Sequence, residues 1–349
     1  KYLLKKIYLD FSLPNLSKKM NKKNGYLETY KDNILIIYWT GKIQYIKKND
    51  LLNPINKIND VNSNINDYLK NDHKDKFISI KDAKVINNDL FLSYTKNVKP
   101  DTNCLNISII KANLTLENNN LKIGNFNNFF SYDECYEARF NGYQSGGRIE
   151  DYKNDNILLS TGDFQNFTPA QNENSFFGKV IKINKKTSEF KIISMGHRNP
   201  QGLLYLKDKD LIISTEHGQK GGDEVNKIID KNNGKISNYG WPIASYSTYY
   251  GYENNKIKKI APFKKSHKKF GFIEPLIYFT PAIGISQIID ASNFENLKNE
   301  NQYLVSSMKK QKIIFIEYEK SKEEAKKVNE LFIGERIRDI IKFDNDKYL

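Results

Sequence analysis

The chain has 349 residues, with 55 Lys and Arg against 41 Asp and Glu for a formal charge of +14, and 39% of its residues are hydrophobic. That apolar share can build a large core and excludes a disordered chain, and no run approaches the roughly 20 apolar residues of a membrane span. Five basic residues are arginines (Arg139, Arg148, Arg198, Arg336 and Arg338) and the other 50 are lysines, scattered without a dense block joined to aromatic or arginine readout, which argues for a solvated surface and against nucleic acid.

In chain order, KYLLKKIYL at the start is too short and too interrupted by charge to be a whole signal sequence. A turn-then-strand phrase then recurs six times, beginning at Asp32, Asn88, Asn154, Asp208, Asn301 and Asn345. Asn and Asp form the turns, and the apolar β-branched runs after them, such as Ile34 to Trp39, have the length of buried strands. Each copy reads as followed by a second strand-like segment, for example Gly41 to Ile46, Leu105 to Ile110, Phe177 to Ile183 and Lys312 to Tyr318. Helical periodicity is nearly absent, its best candidate being Ser321 to Leu331, read as a charged loop or short helix. The pattern predicts an all-β chain, a six-bladed β-propeller over residues 1–349 of about 58 residues per blade. The last copy reaches Leu349 as its strand begins, so either the strands near Tyr26 to Tyr30 close the ring or the chain is a fragment with a truncated last blade. Cys104 and Cys135 leave no room for a cysteine zinc site and have no C-x-x-C spacing; they read as one disulfide or as two buried thiols.

Three polar, glycine-rich segments stand apart: Gly196-His-Arg-Asn-Pro-Gln-Gly-Leu203, Glu216-His-Gly-Gln-Lys-Gly-Gly-Asp-Glu-Val-Asn226 and Asn238-Tyr-Gly-Trp-Pro242. Each lies beside a predicted strand, where a propeller places its loops, and glycines at this density let backbone approach a ligand. Glu216, Asp223 and Glu224 are hard oxygen ligands, better suited to calcium than to zinc. Arg336 and Arg338 fall two apart, on one face of a strand. Guanidinium groups bind carboxylates through paired hydrogen bonds that lysine cannot copy, so a ligand with several carboxylates would explain the pair, the alternative being an ordinary exposed strand with two cations.

These segments, in this order, resemble the soluble glucose/sorbosone dehydrogenases, which are pyrroloquinoline quinone (PQQ) dependent aldose sugar dehydrogenases with a six-bladed propeller. Weaker similarity continues through Ile34 to Ile46, Leu90 to Thr95, Ser145 to Ile149, Ser160 to Asp163, Glu274 to Ile283, Leu304 to Lys309 and Arg336 to Asp339. The resemblance implies that Arg198, Asn199, Lys309, Arg336 and Arg338 contact PQQ. It implies that carbonyls of Gly218 and Gln219 hold a Ca²⁺ that also touches PQQ, with Gln219 replacing the usual proline, and that Glu224 and Tyr239 belong to a second calcium region. The family's catalytic base is a histidine four residues before the position of Arg148, where this chain has Gln144, an amide that cannot accept a proton near neutral pH. Tyr143 and Asp163 are the nearest substitutes, although packing and turn formation are their ordinary uses. The family's glycine-rich segment before the second-blade strand is replaced by Asp72 to Asp82. The implied activity is PQQ-dependent oxidation of a sugar or alcohol at a divergent site, in the periplasm or outside the cell. The alternative is a catalytically silent propeller that binds a carbohydrate or a protein. Electron acceptor and oligomeric state are not legible in these residues.

Overall fold

A computed structural model describes residues 25–349 apart from 52, 54–57, 70–78, 103, 138–142, 232, 292–300 and 345–346. The Asn/Asp phrases make the turns expected of them: Asn87, Asn154, Asp155 and Asp210 all sit at positive φ, which these short polar residues tolerate. Each turn feeds an apolar strand, and the strands assemble as antiparallel meanders in chain order. The first blade pairs Gly25–Tyr30, Asn33–Tyr38, Ile43–Lys47 and Asn59–Val61. The second pairs Ile80–Ile86, Asp89–Lys99 and Cys104–Glu117, edged by Tyr136–Glu137, with Asn120–Ile123 and Asn127–Phe130 along its long third strand. The third pairs Gly146–Tyr152, Asn156–Thr161, Lys179–Asn184 and Phe190–Met195, with Ser237–Asn238 added in parallel. Pro200–Leu206, Leu211–Glu216, Asp223–Ile228 and Ile277–Phe279 form the fourth, and Ile285–Asp290, Gln302–Ser307, Lys312–Glu319 and Glu324–Phe332 the fifth.

The first strand of each blade packs on the first strand of the next, from 25–30 through 80–86, 146–152 and 200–206 to 285–290, the inner wall of a propeller. Apolar layers fill the spaces between neighbouring blades, for example Leu35, Ile37, Leu90 and Leu92 between the first and second and Ile213, Val225, Ile285 and Val305 between the fourth and fifth. A blade is covered on both faces, which is why its second strand reads as an unbroken apolar run instead of an alternation. Residues 336–340 close the ring. Ser286 Oγ donates to the Ile337 carbonyl at 2.7 Å on one side, and Leu27 N donates to Asp339 Oδ2 at 2.8 Å on the other.

Two expectations are corrected. Six repeats imply six blades, but the described residues form five blades and one two-stranded sheet, Lys342–Asp344 with Lys347–Tyr348. The described part of the sixth repeat lies in that small sheet; Ile341, Phe343 and Leu349 pack on Ile34, Ile46 and Leu51 of the first blade, and Tyr348 on a cluster with Leu304 and Phe315 of the fifth. Ser321 to Leu331 contains no helix: Glu324–Phe332 is the outer strand of the fifth blade. Cross-strand pairs such as Lys326 with Glu317 at 3.6 Å override the helix propensity of its Lys and Glu, and such charges also guard an exposed edge. Cys104 and Cys135 are joined as a disulfide that ties the edge strand Tyr136–Glu137 to the blade.

Candidate active site

The candidate residues lie at one end of the ring, where the inner strands of the third, fourth and fifth blades begin. Arg148, on the inner strand of the third blade, fixes this end. Its guanidinium reaches Asp82 of the second blade at 2.7 Å, Asp339 of the closing segment at 2.9 Å, the Gln201 carbonyl of the fourth blade at 2.6 Å and the Arg338 carbonyl at 3.1 Å. It also lies 5.2 Å from the ring of Tyr26 on the first blade. Burial opposes the charge on Arg148, but Asp82 and Asp339 outweigh it and hold its pKa above the ordinary value.

His197, Arg198 and Asn199 lead into the inner strand of the fourth blade. Glu216, at the end of the neighbouring strand, takes the Arg198 amide on one carboxylate oxygen and His197 Nδ1 on the other at 2.9 Å. His197 Nε2 meets Ser194 Oγ at 2.8 Å and its ring stacks on Tyr239, so this histidine is buried structure with no face left for a substrate. The Arg198 side chain lies over Trp241 and donates to the carbonyls of His217 at 3.1 Å and Gly218 at 2.8 Å. Asn199 Oδ1 accepts from the Gly146 amide at 3.2 Å and from Gln201 Nε2 at 3.0 Å, and Gln201 Oε1 accepts from Arg338 at 2.7 Å.

The loop after Glu216 folds on itself so tightly that a Cβ on Gly218 would stand 2.1 Å from the Gly221 carbonyl oxygen. Asp223 organises it: one oxygen accepts the Gly218 amide at 3.0 Å and lies 3.8 Å from His217 Nδ1, and the other collects the amides of Ile283, Gly284 and Ile285. That second set brings the Met308-Lys309 turn in, because the amides of Met308 and Lys309 donate to Gly284 and Ile283. Arg336 Nη2 lies 3.9 Å from Met308 Sδ. His217 is held at a pKa of about 4, by burial first and then by the nearby charges of Arg338 and Arg198, against the pull of Asp223. Arg198 and Arg338, from separate parts of the chain, thus both bear on this imidazole, with Arg336 beside Arg338 and the Met308-Lys309 turn tied through Gly284 and Ile283 to the same Asp223. Burial and the charges of Arg148 and Arg336 lower the pKa of Arg338, and its Nε is buried without a hydrogen-bond partner.

The positions implied for calcium are arranged differently. The Gly218 carbonyl faces the Arg198 guanidinium, and the Gln219 carbonyl accepts the Tyr250 hydroxyl. The Gln219 side chain is taken by Glu253, its Nε2 donating at 2.5 Å. Glu224 faces His267 Nε2 at 3.5 Å, and the Tyr239 carbonyl faces His267 Nδ1 at 2.8 Å. Calcium takes six to eight oxygens, and among the described residues no three His, Cys, Asp or Glu side chains gather to hold a metal. This donor set, with a guanidinium on the Gly218 carbonyl and an imidazole between the Glu224 carboxylate and the Tyr239 carbonyl, does not fit calcium.

Gln144 sits in a turn at positive φ, and its carbonyl is so close to Gly162 that a Cβ there would meet it at 1.8 Å. Tyr143 is exposed. Asp163 is fully buried, accepting Trp241 Nε1 and the Gln165 amide, each at 2.8 Å. It therefore props the indole under Arg198 and is closed to a substrate. Of the segment Asp72 to Asp82, residues 72–78 lie outside the described residues; Asp82 is the buried partner of Arg148. In the sequence Arg148 and Trp241 stand out only as parts of motifs, and Glu216, expected as an oxygen ligand for calcium, instead holds His197 and the Arg198 amide. Their roles depend on partners up to 191 residues away, which no local spacing reveals.

A ring of antiparallel blades with cations gathered at one end defines the class, a β-propeller with a cation-lined site. A family model described as glucose/sorbosone dehydrogenase matches residues 26–349, and the chain belongs to that family. It is 36% identical over 120 residues to quinoprotein glucose dehydrogenase B of Acinetobacter calcoaceticus, a match covering 27% of this chain and 24% of that protein. It is 26% identical over 216 residues to aldose sugar dehydrogenase YliI of Escherichia coli, covering 57% and 54%. The matches thus span about half or less of the curated relatives. Among solved structures, the soluble aldose sugar dehydrogenase of Escherichia coli in its apo-form superposes with a TM-score of 0.69 at 19% identity, over 92% of this chain and 90% of that one. The PQQ-bound aldose sugar dehydrogenase of Streptomyces coelicolor does so with a TM-score of 0.62 at 15% identity, over 91% and 84%. No helix among the described residues is long and apolar enough to cross a membrane.

Proposed function

We propose that the chain is a sugar or alcohol dehydrogenase that carries PQQ at the cationic end of the propeller. The observation that carries this reading is the convergence of Arg198 and Arg338 on His217, with Arg336 close to Arg338, the Lys309 turn tied through Gly284 and Ile283 to Asp223, and Arg338 Nε buried without a hydrogen-bond partner. Cations kept together against their own repulsion, one of them desolvated, match a ligand with several carboxylates. PQQ fits: Arg198, Arg336, Arg338 and Lys309 would hold its carboxylates, Asn199 would fix their spacing, and its quinone supplies the two-electron acceptor for a sugar. The chain's own work is to orient and to desolvate. Trp241 braces Arg198, and Gln201 braces Arg338.

Gln144 cannot take the substrate proton, so turnover is slow in this reading. The test is reconstitution with PQQ and dye reduction over a panel of aldoses and alcohols. Turnover above background is expected, and Gln144→His is expected to raise kcat by at least about 10²-fold, the lower range of general-base contributions. Bound PQQ with no turnover in either protein contradicts a dehydrogenase and leaves a silent binding propeller. The disulfide Cys104–Cys135 supports a periplasmic or extracellular location.

A further inference from the structure

Beside the site, residues 244–273 form a lobe whose composition differs from the rest of the surface. Lys256, Lys258, Lys259, Lys264, Lys265, Lys268 and Lys269 occupy half of a 14-residue stretch, and no acid stands between Glu253 and Glu274. The average over 50 lysines in 349 residues is about two per 14, so drift toward lysine does not account for the cluster, and the sequence-based reading of a uniformly scattered charge misses it. All seven are exposed and none has an ion pair among the described residues. Two sit over aromatic rings, Lys258 over Tyr249 at 5.5 Å and Lys264 over Phe270 at 5.7 Å. Tyr252 is 77% exposed, Tyr250 49%, Phe270 43% and Ile260 42%, so four large apolar side chains stand among the lysines.

The lobe is continuous with the site. Tyr250 donates its hydroxyl to the Gln219 carbonyl, and Glu253 holds the Gln219 amide. Trp241, beneath Arg198, stacks on Phe263 at 5.1 Å, and Phe263 stacks on Tyr249 at 4.6 Å. Exposed cations around an apolar centre have the make-up of a transient protein interface, in which charge steers the encounter and aromatic anchors hold it. A nucleic-acid surface would use arginine, and this stretch has none. The one helix, Asn255–Ile260, carries two isoleucines in six residues, too few for an apolar face that enters a bilayer.

We propose that this lobe is the docking surface for an acidic protein that accepts one electron at a time and relieves the site of the electrons taken from substrate. The inference rests on the dehydrogenase reading above. Oxidation of one alcohol group to a carbonyl releases two electrons and two protons; two acceptor molecules dock in turn and take one electron each, and the protons pass to water.

The test uses an acidic blue-copper protein, oxidised plastocyanin, as probe, and basic cytochrome c as its opposite. Binding is read by surface plasmon resonance without sugar or cofactor, so that it does not depend on turnover. Saturable binding of plastocyanin is expected, with Kd weakened at least tenfold between 10 and 150 mM salt as the screening length falls from about 30 to about 8 Å, and no binding of cytochrome c. The quadruple variant Lys256→Gln, Lys259→Gln, Lys268→Gln, Lys269→Gln is expected to weaken binding at least tenfold. Neutralising Lys122, Lys191, Lys207 and Lys235, exposed elsewhere, is expected to change it less than twofold. Equal loss in both variants, or binding of phosphatidylglycerol vesicles in place of plastocyanin, overturns the proposal. Dye-linked sugar oxidation without plastocyanin binding also overturns it while leaving the dehydrogenase standing. Lobe-dependent binding with no sugar oxidation by any route sinks the dehydrogenase reading and keeps the docking surface.

Discussion

Asp163 shows how the chemistry of one carboxyl follows from its place. Burial pushes its pKa from the ordinary carboxylate value up to about 7, against the opposing charge of Arg198 and its two hydrogen bonds. The sign is that of a raised acid: the unfolded chain releases its proton first, so stability is full below the unfolded value of 3.8 and is lost as pH rises toward 7. Three units at 1.36 kcal/mol each set an upper bound of about 4 kcal/mol. Asp163→Asn keeps an acceptor for the indole and removes the titration. Urea unfolding at pH 4.5, 6 and 7.5 is expected to show a falling wild-type stability and a flatter variant; parallel curves would place the titration elsewhere. Arg148 behaves oppositely, as a buried cation with two buried partners. Arg148→Met leaves Asp82 and Asp339 uncompensated and is expected to cost about 3–5 kcal/mol, measured by the same method; a loss below about 1 kcal/mol contradicts its role as the lock of the ring.

At the scale of elements, the strands were legible because a turn of Asn or Asp followed by a β-branched run is a local signal, and five of the six repeats became the second strands of blades. What failed needed distant information. The charged stretch after Ser321 resembles a helix until Lys312–Glu319 stands beside it, and the described part of the last repeat pairs with Lys342–Asp344, in a two-stranded sheet that packs on the first and fifth blades. The site was legible as motifs, since arginine is rare among so many lysines, but the bracing of those motifs by Glu216, Asp223 and Trp241 was not. The two cysteines could not be assigned from spacing, and the third strand of the second blade settles them by setting Cys104 beside Glu137. Cross-linking across 31 residues restricts the unfolded chain by roughly 3–4 kcal/mol. The double variant Cys104→Ser, Cys135→Ser is expected to lose about that much in chemical denaturation, and an unchanged midpoint would show that the edge strand holds without it.

For the whole molecule, closure and site are one arrangement. The segment 336–340 joins the fifth blade to the first, and the same segment delivers Arg336 and Arg338 to the cationic end while Asp339 locks Arg148. A ligand bridging these cations therefore ties blades to each other, so PQQ is expected to raise Tm by several degrees, whereas EDTA or added Ca²⁺ is expected to leave Tm of the free protein unchanged within about 1 °C, read by differential scanning calorimetry. A fall of several degrees with EDTA would show that a metal is bound after all. The most direct measurement is equilibrium titration of the protein with PQQ by cofactor absorbance, in wild type and in Arg338→Ala. Saturable one-to-one binding at micromolar cofactor, weakened at least about tenfold by loss of the charge-assisted hydrogen bonds of that guanidinium, is the expected result; no saturable binding, or equal affinity in the variant, contradicts it.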